Sequence, residues 1–425
     1  MKENGKLKMD RRSFLAGVAT AGLAAVATSA RAQDAMLGDI LNAPRRGNWN
    51  DQFDARSSSK AKVASNLPIM SHETVSFIER EIGNYQNIVS NGGWPAVPAT
   101  AKLKLGASDP SVAVLRKRLM ISGDLPQSAG MSNAFDTYVD AAVKRFQARH
   151  GLPDDGVMGQ FTYAAMNVSP ATRLGQLQTN LGRLRDIVAK DLGPRFVMVN
   201  IPAASIEAVE NGRVASRHTA IVGKIDRQTP ILTSRIHEII LNPYWTSPKS
   251  IIEKDIIPLM RKDPQYLTKN KIRLFNSKGQ EVPPETVDWS TNEAVNLMFR
   301  QDPYKGNAMS STKINFHNSH AVYMHDTPQQ GLFNQIMRFD SSGCVRVQNV
   351  RDLNTWILRD TPGWDRQTME RTIKSGENTP IAVSNPVPVH FIYVSAWSTG
   401  DGVTHFRDDI YHMDGASELA LGTDI

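Results

Sequence analysis

The chain has 425 residues, 40% hydrophobic and 21% charged, with 49 Lys and Arg against 42 Asp and Glu and a single cysteine. That length supports two or three domains, the apolar fraction excludes disorder as the dominant state, and one cysteine excludes an internal disulfide framework and any Cys-rich zinc or iron–sulfur site. The formal charge of +7 would suit a polyanionic partner only if it were gathered on one folded surface.

It is gathered instead at the N-terminus. In residues 1–32, Lys2, Lys6, Lys8, Arg11, Arg12 and Arg31 oppose only Glu3 and Asp10. An apolar run starts at Phe14 and continues, Ala-rich, to about Ala27; Ala30-Arg31-Ala32 then has the small-x-small form of a cleavage site. A basic head, a short apolar middle and a small-residue exit make a signal peptide, too short for a stable membrane span. Arg11-Arg12-Ser13-Phe14-Leu15 resembles a twin-arginine export signal, which implies a periplasmic protein; a basic amphipathic helix is the alternative reading. Without this segment the net charge falls to +3. No basic stripe with interleaved aromatics remains, so no nucleic-acid partner is expected, and no window of about 18 apolar residues remains to span a membrane.

Residues 33–105 read as a polar, turn-rich lead-in followed by a helix over 68–90. Residues 106–170 read as a small helical module: Val112, Leu115 and Leu119 share one helical face, and Phe135, Val139, Ala142, Val143 and Phe146 form a second apolar stripe, stopped by Gly151. The segment from Val143-Lys144-Arg145-Phe146-Gln147 through Asp155-Gly156, Gly159 and Thr162 resembles the three-helix peptidoglycan-binding module of cell-wall enzymes. Residues 171–194 form a connecting helix with one buried seam (Leu174, Leu177, Leu181, Leu184, Val188), ended by Gly193-Pro194. The chain then turns β-like. Strands are expected at Phe196–Ile201, His218–Val222, Arg235–Leu241, Ala321–Met324 and Val389–Val394, with a hairpin turn at Asn211-Gly212. A Pro-rich, helical insertion occupies about 246–312, and residues 413–425 form a tail.

The lone thiol, Cys344, sits in Ser341-Ser342-Gly343-Cys344-Val345-Arg346-Val347, downstream of Tyr323-Met324-His325-Asp326-Thr327-Pro328. A thiol nucleophile needs a base or cation to raise its thiolate character, and His is the usual partner. It also needs donors for the oxyanion formed on carbonyl attack, which backbone N–H groups of a Gly-containing turn supply. Arg346 offers charge-assisted hydrogen bonds to the loop or the substrate. A single cysteine is also often a small buried hydrophobe, so spacing alone does not decide the matter.

Ser342-Gly343-Cys344-Val345-Arg346 and Tyr323-x-His325-Asp326-Thr327-Pro328 resemble the signature of the L,D-transpeptidases, cysteine enzymes with a YkuD-type domain. Ile221-Val222-Gly223-Lys224, Arg227-x-Thr229-Pro230, Asn242-Pro243-x-Trp245, Asp255-Ile256-x-Pro258, Asp263-Pro264-x-Tyr266-Leu267 and His405-Phe406-Arg407-Asp408-Asp409-Ile410-Tyr411 resemble its larger branch, whose active site is capped by an insertion. His317 departs from that pattern, standing where Pro is expected before Asn318. The resemblance implies an α+β multidomain protein: a mainly-β catalytic domain over 195–412 with a helical capping insertion, behind the small helical module. It further implies that Cys344 attacks the meso-diaminopimelate carbonyl of a donor stem tetrapeptide, with His325 as base. D-Ala leaves, and the side-chain amine of another stem resolves the thioester into a 3→3 crosslink. The Cys344 N–H, with Gly343 or a neighbour, would hold the oxyanion; Ser342 and Arg346 would shape the turn; Tyr323, Asn242 and Trp245 would face the substrate. No metal or cofactor is implied, and carbapenems are expected to acylate Cys344. Water as acceptor would make an L,D-carboxypeptidase, and an envelope protein as acceptor would be tethered to the wall; a non-catalytic wall-binding protein is the non-enzyme alternative.

Other motifs compete weakly. His72-Glu73 and His237-Glu238 open like zinc-protease helices, but Ser76 and Leu241 stand where the second His is required. His317 and His320 read as supporting or solvated. Ser57-Ser58-Ser59-Lys60, Ser290-Thr291-Asn292 and Lys374-Ser375-Gly376 approximate a serine penicillin-binding set, but Ser57 lacks the apolar helix around it that such a nucleophile needs.

Overall fold

The computed structural model describes residues 65–99, 102–400 and 402–419. The export signal, most of the polar lead-in and the Ser57–Lys60 motif lie outside the described residues.

The helices start where short polar caps precede apolar periodicity. α1 (His72–Ser90) opens at Ser71, whose Oγ accepts the Thr74 N–H. α2 (Pro110–Ile121) opens at Asp109 with Pro at its first position. α3 (Thr137–Arg149) opens at Asp136, which accepts two backbone N–H groups. α4 (Gln160–Asn167) completes the module, and α5 (Pro170–Val188) follows from a Ser169 cap. The two expected stripes meet: Val112, Leu115, Leu119, Val139, Val143 and Phe146 are fully buried in one core. Gln147 explains the polar part of the motif. Its amide donates to Asp155 Oδ1 (3.0 Å) and the Val157 carbonyl (2.9 Å), and its Oε1 accepts the Gly156 N–H at 2.9 Å. Gly156 has φ +77°, and a side chain there would run into Asp140.

The β-rich half is a closed barrel. Its first strands are β1 (Arg195–Asn200), β2 (Ser205–Glu210), β3 (Arg213–Gly223) and β4 (Leu232–Leu241). Asn211 and Gly212, both at positive φ, form the β2–β3 turn foreseen for Asn-Gly. β5 (Trp245–Thr246), β6 (Ile272–Phe275), β7 (Glu281–Val282) and β8 (Met298–Gln301) lie in the insertion. The barrel resumes with β9 (Thr312–Phe316), β10 (Met324–His325), β11 (Phe339–Ser341), β12 (Val345–Val347) and β13 (Thr379–Ile392). The order is β11-β3-β12-β10-β9-β4-β13-β1-β2, and β2 pairs back onto β3. Eight strands thus close on themselves with β11 attached, which removes the open edges of a flat sheet. Val199, Ile206, Val222, Ile239, Ile314 and Val345 fill the interior, joined by Leu353 and Ile357 of α6 (Val350–Leu358).

Two expectations are corrected. The 246–312 insertion is not simply helical. Its helical turns pack on an antiparallel sheet, β5-β8-β6-β7, around a separate core of Ile252, Ile256, Leu267, Leu274 and Phe299; strands of two to four residues are too short to show a period of two in sequence. The strand foreseen at Ala321–Met324 begins only at Met324, because Ala321 takes φ +54° and the Asn318 amide clasps the Phe316 and Val322 carbonyls.

The helical layer is bolted to the barrel. α1 and α5 cover Phe196, Met198 and Ile392. Arg149 pairs with Asp124 and donates to the Thr404 carbonyl; Asn180 donates to Ser395 Oγ at 2.8 Å. β14 (Ala396–Ser398) and β15 (Thr404–Phe406) form the receiving hairpin. His150 stacks on Phe146 (3.8 Å) and on Phe406 (5.5 Å) and donates from Nδ1 to the Phe146 carbonyl. Burial, then the Arg149 and Arg173 charges, push its pKa well below the usual value, and Arg118 adds to this. The unfolded imidazole therefore binds a proton that the folded one refuses. This part of the stability is fully present above about pH 6.5 and is lost as the pH falls. Urea unfolding should show lower stability at pH 5 than at pH 7.5, and His150→Phe, which keeps the stack without a titrating ring, should flatten that slope.

Candidate active site

Strand pairing assembles the site. β10 and β12 run parallel with Met324 opposite Val345 and His325 opposite Arg346; β9 lies antiparallel on the other side with Lys313 opposite His325. Lys313, His325 and Arg346 therefore stand in a row across three strands. Because Ile314, Met324, Val345 and Val347 point into the barrel, the row faces outward. Tyr323 and Cys344 each stand two residues before a member of that row, on the same face.

The nucleophile turn is fixed from several sides. Gly343 has φ +110°, and a Cβ there would meet the Gln228 carbonyl at 3.3 Å. Ser341 Oγ donates to the Cys344 carbonyl (2.5 Å) and accepts the Gly343 N–H (3.1 Å). Thr229 Oγ1 donates to the Gly343 carbonyl at 2.8 Å. Arg227 reaches Ser342 Oγ at 3.0 Å while paired with the insertion's Asp255 at 2.7 Å. The Gly343 N–H is thus spent inside the turn. Gly343 serves by conformation and leaves the Cys344 N–H as the turn's donor toward an oxyanion.

His325 Nδ1 lies 2.6 Å from the Asp326 carbonyl. A carbonyl only accepts, so Nδ1 carries the hydrogen and Nε2 is left with its lone pair free to take a proton. Asp326 is held in turn by Ser311 Oγ at 2.5 Å and the Thr327 N–H at 2.8 Å. Burial first, then Arg346 and Lys313, lower the His325 pKa to about 3. Burial raises the Cys344 thiol, partly offset by hydrogen bonds from the Tyr323 N–H and hydroxyl and by the charges of Lys313 and Arg346. Between about pH 3 and the thiol's own raised pKa, the pair rests as neutral thiol and neutral imidazole.

Tyr323 is half-buried, with its hydroxyl on the thiol and its ring edge-on to His325 at 5.5 Å. Ser342 and Arg346 sit at the turn. Trp245 and Asn242 are corrections. Trp245 is 2% exposed in the core of the insertion and acts through Tyr323, to whose hydroxyl it donates. Asn242, at φ +47°, gives its amide to the Thr372 and Glu377 carbonyls (2.9 and 3.0 Å), tying β4 to the end of α7 (Arg366–Ser375) and not facing a substrate. The residue that sequence reasoning missed is Lys313. Its ammonium lies 4.3 Å over the Tyr323 ring, near enough to Cys344 and Glu238 for their charges to raise its pKa against the lowering by burial. Only the β9–β10 register reveals it. His317 stacks on His237 at 4.0 Å and supports the neighbouring loop. No group of His, Cys, Asp and Glu able to hold a metal occurs among the described residues.

Comparison with known proteins agrees with this geometry. Residues 194–381 match the YkuD family, "L,D-transpeptidase catalytic domain", and residues 108–166 match "Putative peptidoglycan binding domain". The β-rich half is thus similar to the L,D-transpeptidase catalytic domain, behind a helical segment similar to a peptidoglycan-binding domain. A curated relative from Haemophilus influenzae, "Putative L,D-transpeptidase", is 32% identical over 251 residues, 58% of this chain and 49% of the relative; the match thus spans about half of that protein's length. Among solved structures, an L,D-transpeptidase from Stackebrandtia nassauensis is 13% identical with a TM-score of 0.26, covering 70% of this chain and 96% of its own. One from Xylanimonas cellulosilytica is 16% identical with a TM-score of 0.20, covering 69% and 99%.

The neutral resting pair predicts the pH profile of thiol alkylation. Iodoacetamide labelling of Cys344 should keep rising beyond pH 9, whereas a thiolate–imidazolium pair would level off from mildly acidic pH. Tyr323→Phe and Lys313→Met should each slow labelling at pH 7 by about tenfold or more, through loss of donor or charge at the thiolate. Asn242→Ala should leave labelling unchanged and cost about 1–3 kcal/mol of stability in chemical denaturation.

Proposed function

We propose that the protein is a periplasmic peptidoglycan L,D-transpeptidase, exported by the twin-arginine route, that forms 3→3 crosslinks through a cysteinyl thioester. The observation that supports this reading is the β10–β12 pairing, with His325 opposite Arg346, the thiol turn leading into β12, and the His325 Nδ1 hydrogen held by the Asp326 carbonyl. In acylation, Cys344 Sγ attacks the meso-diaminopimelate carbonyl of a donor tetrapeptide as its proton passes to His325 Nε2. The carbonyl oxygen gains negative charge beside the Cys344 N–H, and collapse breaks the peptide bond, the departing D-Ala amine taking the proton from Nε2. In the second half, the acceptor amine gives a proton to Nε2 and attacks the thioester, and the thiol leaves reprotonated. The thioester conserves the energy of the cleaved peptide bond, so the sequence of steps balances without a cofactor. Lys313 and Arg346 offer fixed positive charge where negative charge appears, and Tyr323 steadies the sulfur through both halves.

Purified disaccharide-tetrapeptide incubated with the full chain should yield 3→3 crosslinked dimer and free D-Ala, resolved by mass spectrometry. Tripeptide with no dimer would point to water as acceptor, an L,D-carboxypeptidase; transfer onto an envelope protein's amine would point to tethering. Cys344→Ala should give no product, and a dimer from it would defeat the mechanism. His325→Gln should lower kcat by about 10²–10⁴ while leaving binding of the tetrapeptide intact.

A further inference from the structure

A polar cavity of about 260 Å³ is lined by residues of β2, of β3 and of the β14–β15 hairpin. Its wall carries Arg217, Arg338, Arg407, His218 and His405, against one carboxylate, Glu207. That carboxylate is already used: it accepts from Arg217 Nε at 2.9 Å and from the Ile69 N–H at 3.0 Å. His218 is used as well, with Ser216 Oγ and the Gln348 carbonyl on its two nitrogens. Arg338 and Arg407 are different. Arg338 donates only to the Gln335 and Ala203 carbonyls, and its Nε is buried without an acceptor. Arg407 donates to the Arg149 and Phe406 carbonyls. Neither forms an ion pair among the described residues; burial and then the Arg338 charge lower the pKa of Arg407 to about 9, partly opposed by the charge of Asp408. Beside them His405, 7% exposed and stacked on Trp397 at 4.9 Å, has an Nδ1 with no partner.

Two neighbouring, partly buried guanidiniums, neither in an ion pair and one with an unused Nε donor, leave a place for an anionic group to join them. We propose that this cavity is a binding site for a small oxyanion, a carboxylate or phosphate group clasped between Arg338 and Arg407. Forked guanidiniums suit both groups bidentately. The volume is below that of pockets that enclose drug-sized ligands, so it fits a head group and not a whole ligand. The site is distinct from the thiol: along β3, Arg217–Thr219 stand four to six residues from Gly223 at the nucleophile turn, roughly 13–20 Å.

Thermal melts of the full chain carrying Cys344→Ala test the proposal, with inorganic phosphate titrated at constant ionic strength against chloride. Phosphate should raise Tm saturably by a few degrees, and Arg338→Met and Arg407→Met should each abolish that rise. Without phosphate, Arg338→Met should melt no lower than the parent, since it relieves a repulsion; a residue needed only for packing would lower Tm. A second arm replaces phosphate with disaccharide-tetrapeptide. A rise lost in Arg338→Met and saturating at lower concentration than phosphate assigns the site to wall-polymer carboxylates, and a response to phosphate alone assigns it to free phosphate. No response in the parent to either probe, as for a cavity filled from within the chain, or an equal response in both Met variants, overturns the proposal.

Discussion

The parallel pairing of β10 with β12 is the constraint on which the chemistry depends. Each strand is only two or three residues long, and parallel neighbours cannot be joined by a tight turn. The connection between them runs through residues 326–344, and it returns along β11, which attaches to β3 on the far side of β12. The thiol arrives at the start of β12 by a turn that sits on the Thr229–Tyr411–Gly223 hydrogen-bond cluster. A slip of one residue would turn His325 and Arg346 into the barrel and bring Met324 and Val345 out. The apolar interior therefore protects the catalytic register, because no alternative pairing buries the same side chains.

The electrostatics follow from where that face is covered. Trp245 and the insertion pack against Tyr323 and reduce the water around it and the half-buried thiol, which raises the cost of a standing thiolate and of a standing imidazolium together. The same exclusion strengthens the fixed charges of Lys313 and Arg346 toward any charge that forms during reaction. Lowered His325 and raised Cys344 are thus two readings of one dry environment. It favours a proton moving with the attack over one that has moved beforehand. It also leaves the lone thiol protonated at rest, and protonated thiols are slow to oxidise.

What was legible in the sequence were features that local physics fixes: the two helical stripes of the module, the Asn211-Gly212 turn, and the nucleophile and base within their motifs. Gly343 was legible as part of a turn but not for its reason: it was expected to help hold an oxyanion, whereas its N–H is spent on Ser341 and its φ of +110° is what the turn uses. Lys313 was not legible, since a lysine inside Thr312–Phe316 resembles any solvent-facing strand residue until β9 is placed beside β10. Trp245 and Asn242 misled for the converse reason. An Asn-Pro-x-Trp stretch near a motif looks like a surface for substrate, yet left-handed Asn242 answers the open carbonyls at the end of α7, and Trp245 answers a core that the insertion builds for itself. Its strands escaped notice because their partners lie up to about fifty residues away.

The join between the helical module and the barrel has a consequence for how anything bound to the module meets the site. A module on a flexible linker raises local substrate concentration but imposes no direction. Here the connecting helix α5 is itself part of the interface, through Asn180, Gln176 and Leu184, and α3 touches the β14–β15 hairpin through Arg149 and His150. Interfaces within a chain that are large and apolar hold their orientation, whereas polar ones allow domains to move; this one combines an apolar seam with the Arg149 guanidinium, paired with Asp124 and donating to the Thr404 carbonyl. A ligand resting on the module would therefore approach the thiol along one direction set by the fold. The buried arginines then serve more as a means of fixing that direction than as a source of net stability, since ion pairs taken out of water contribute little to the latter.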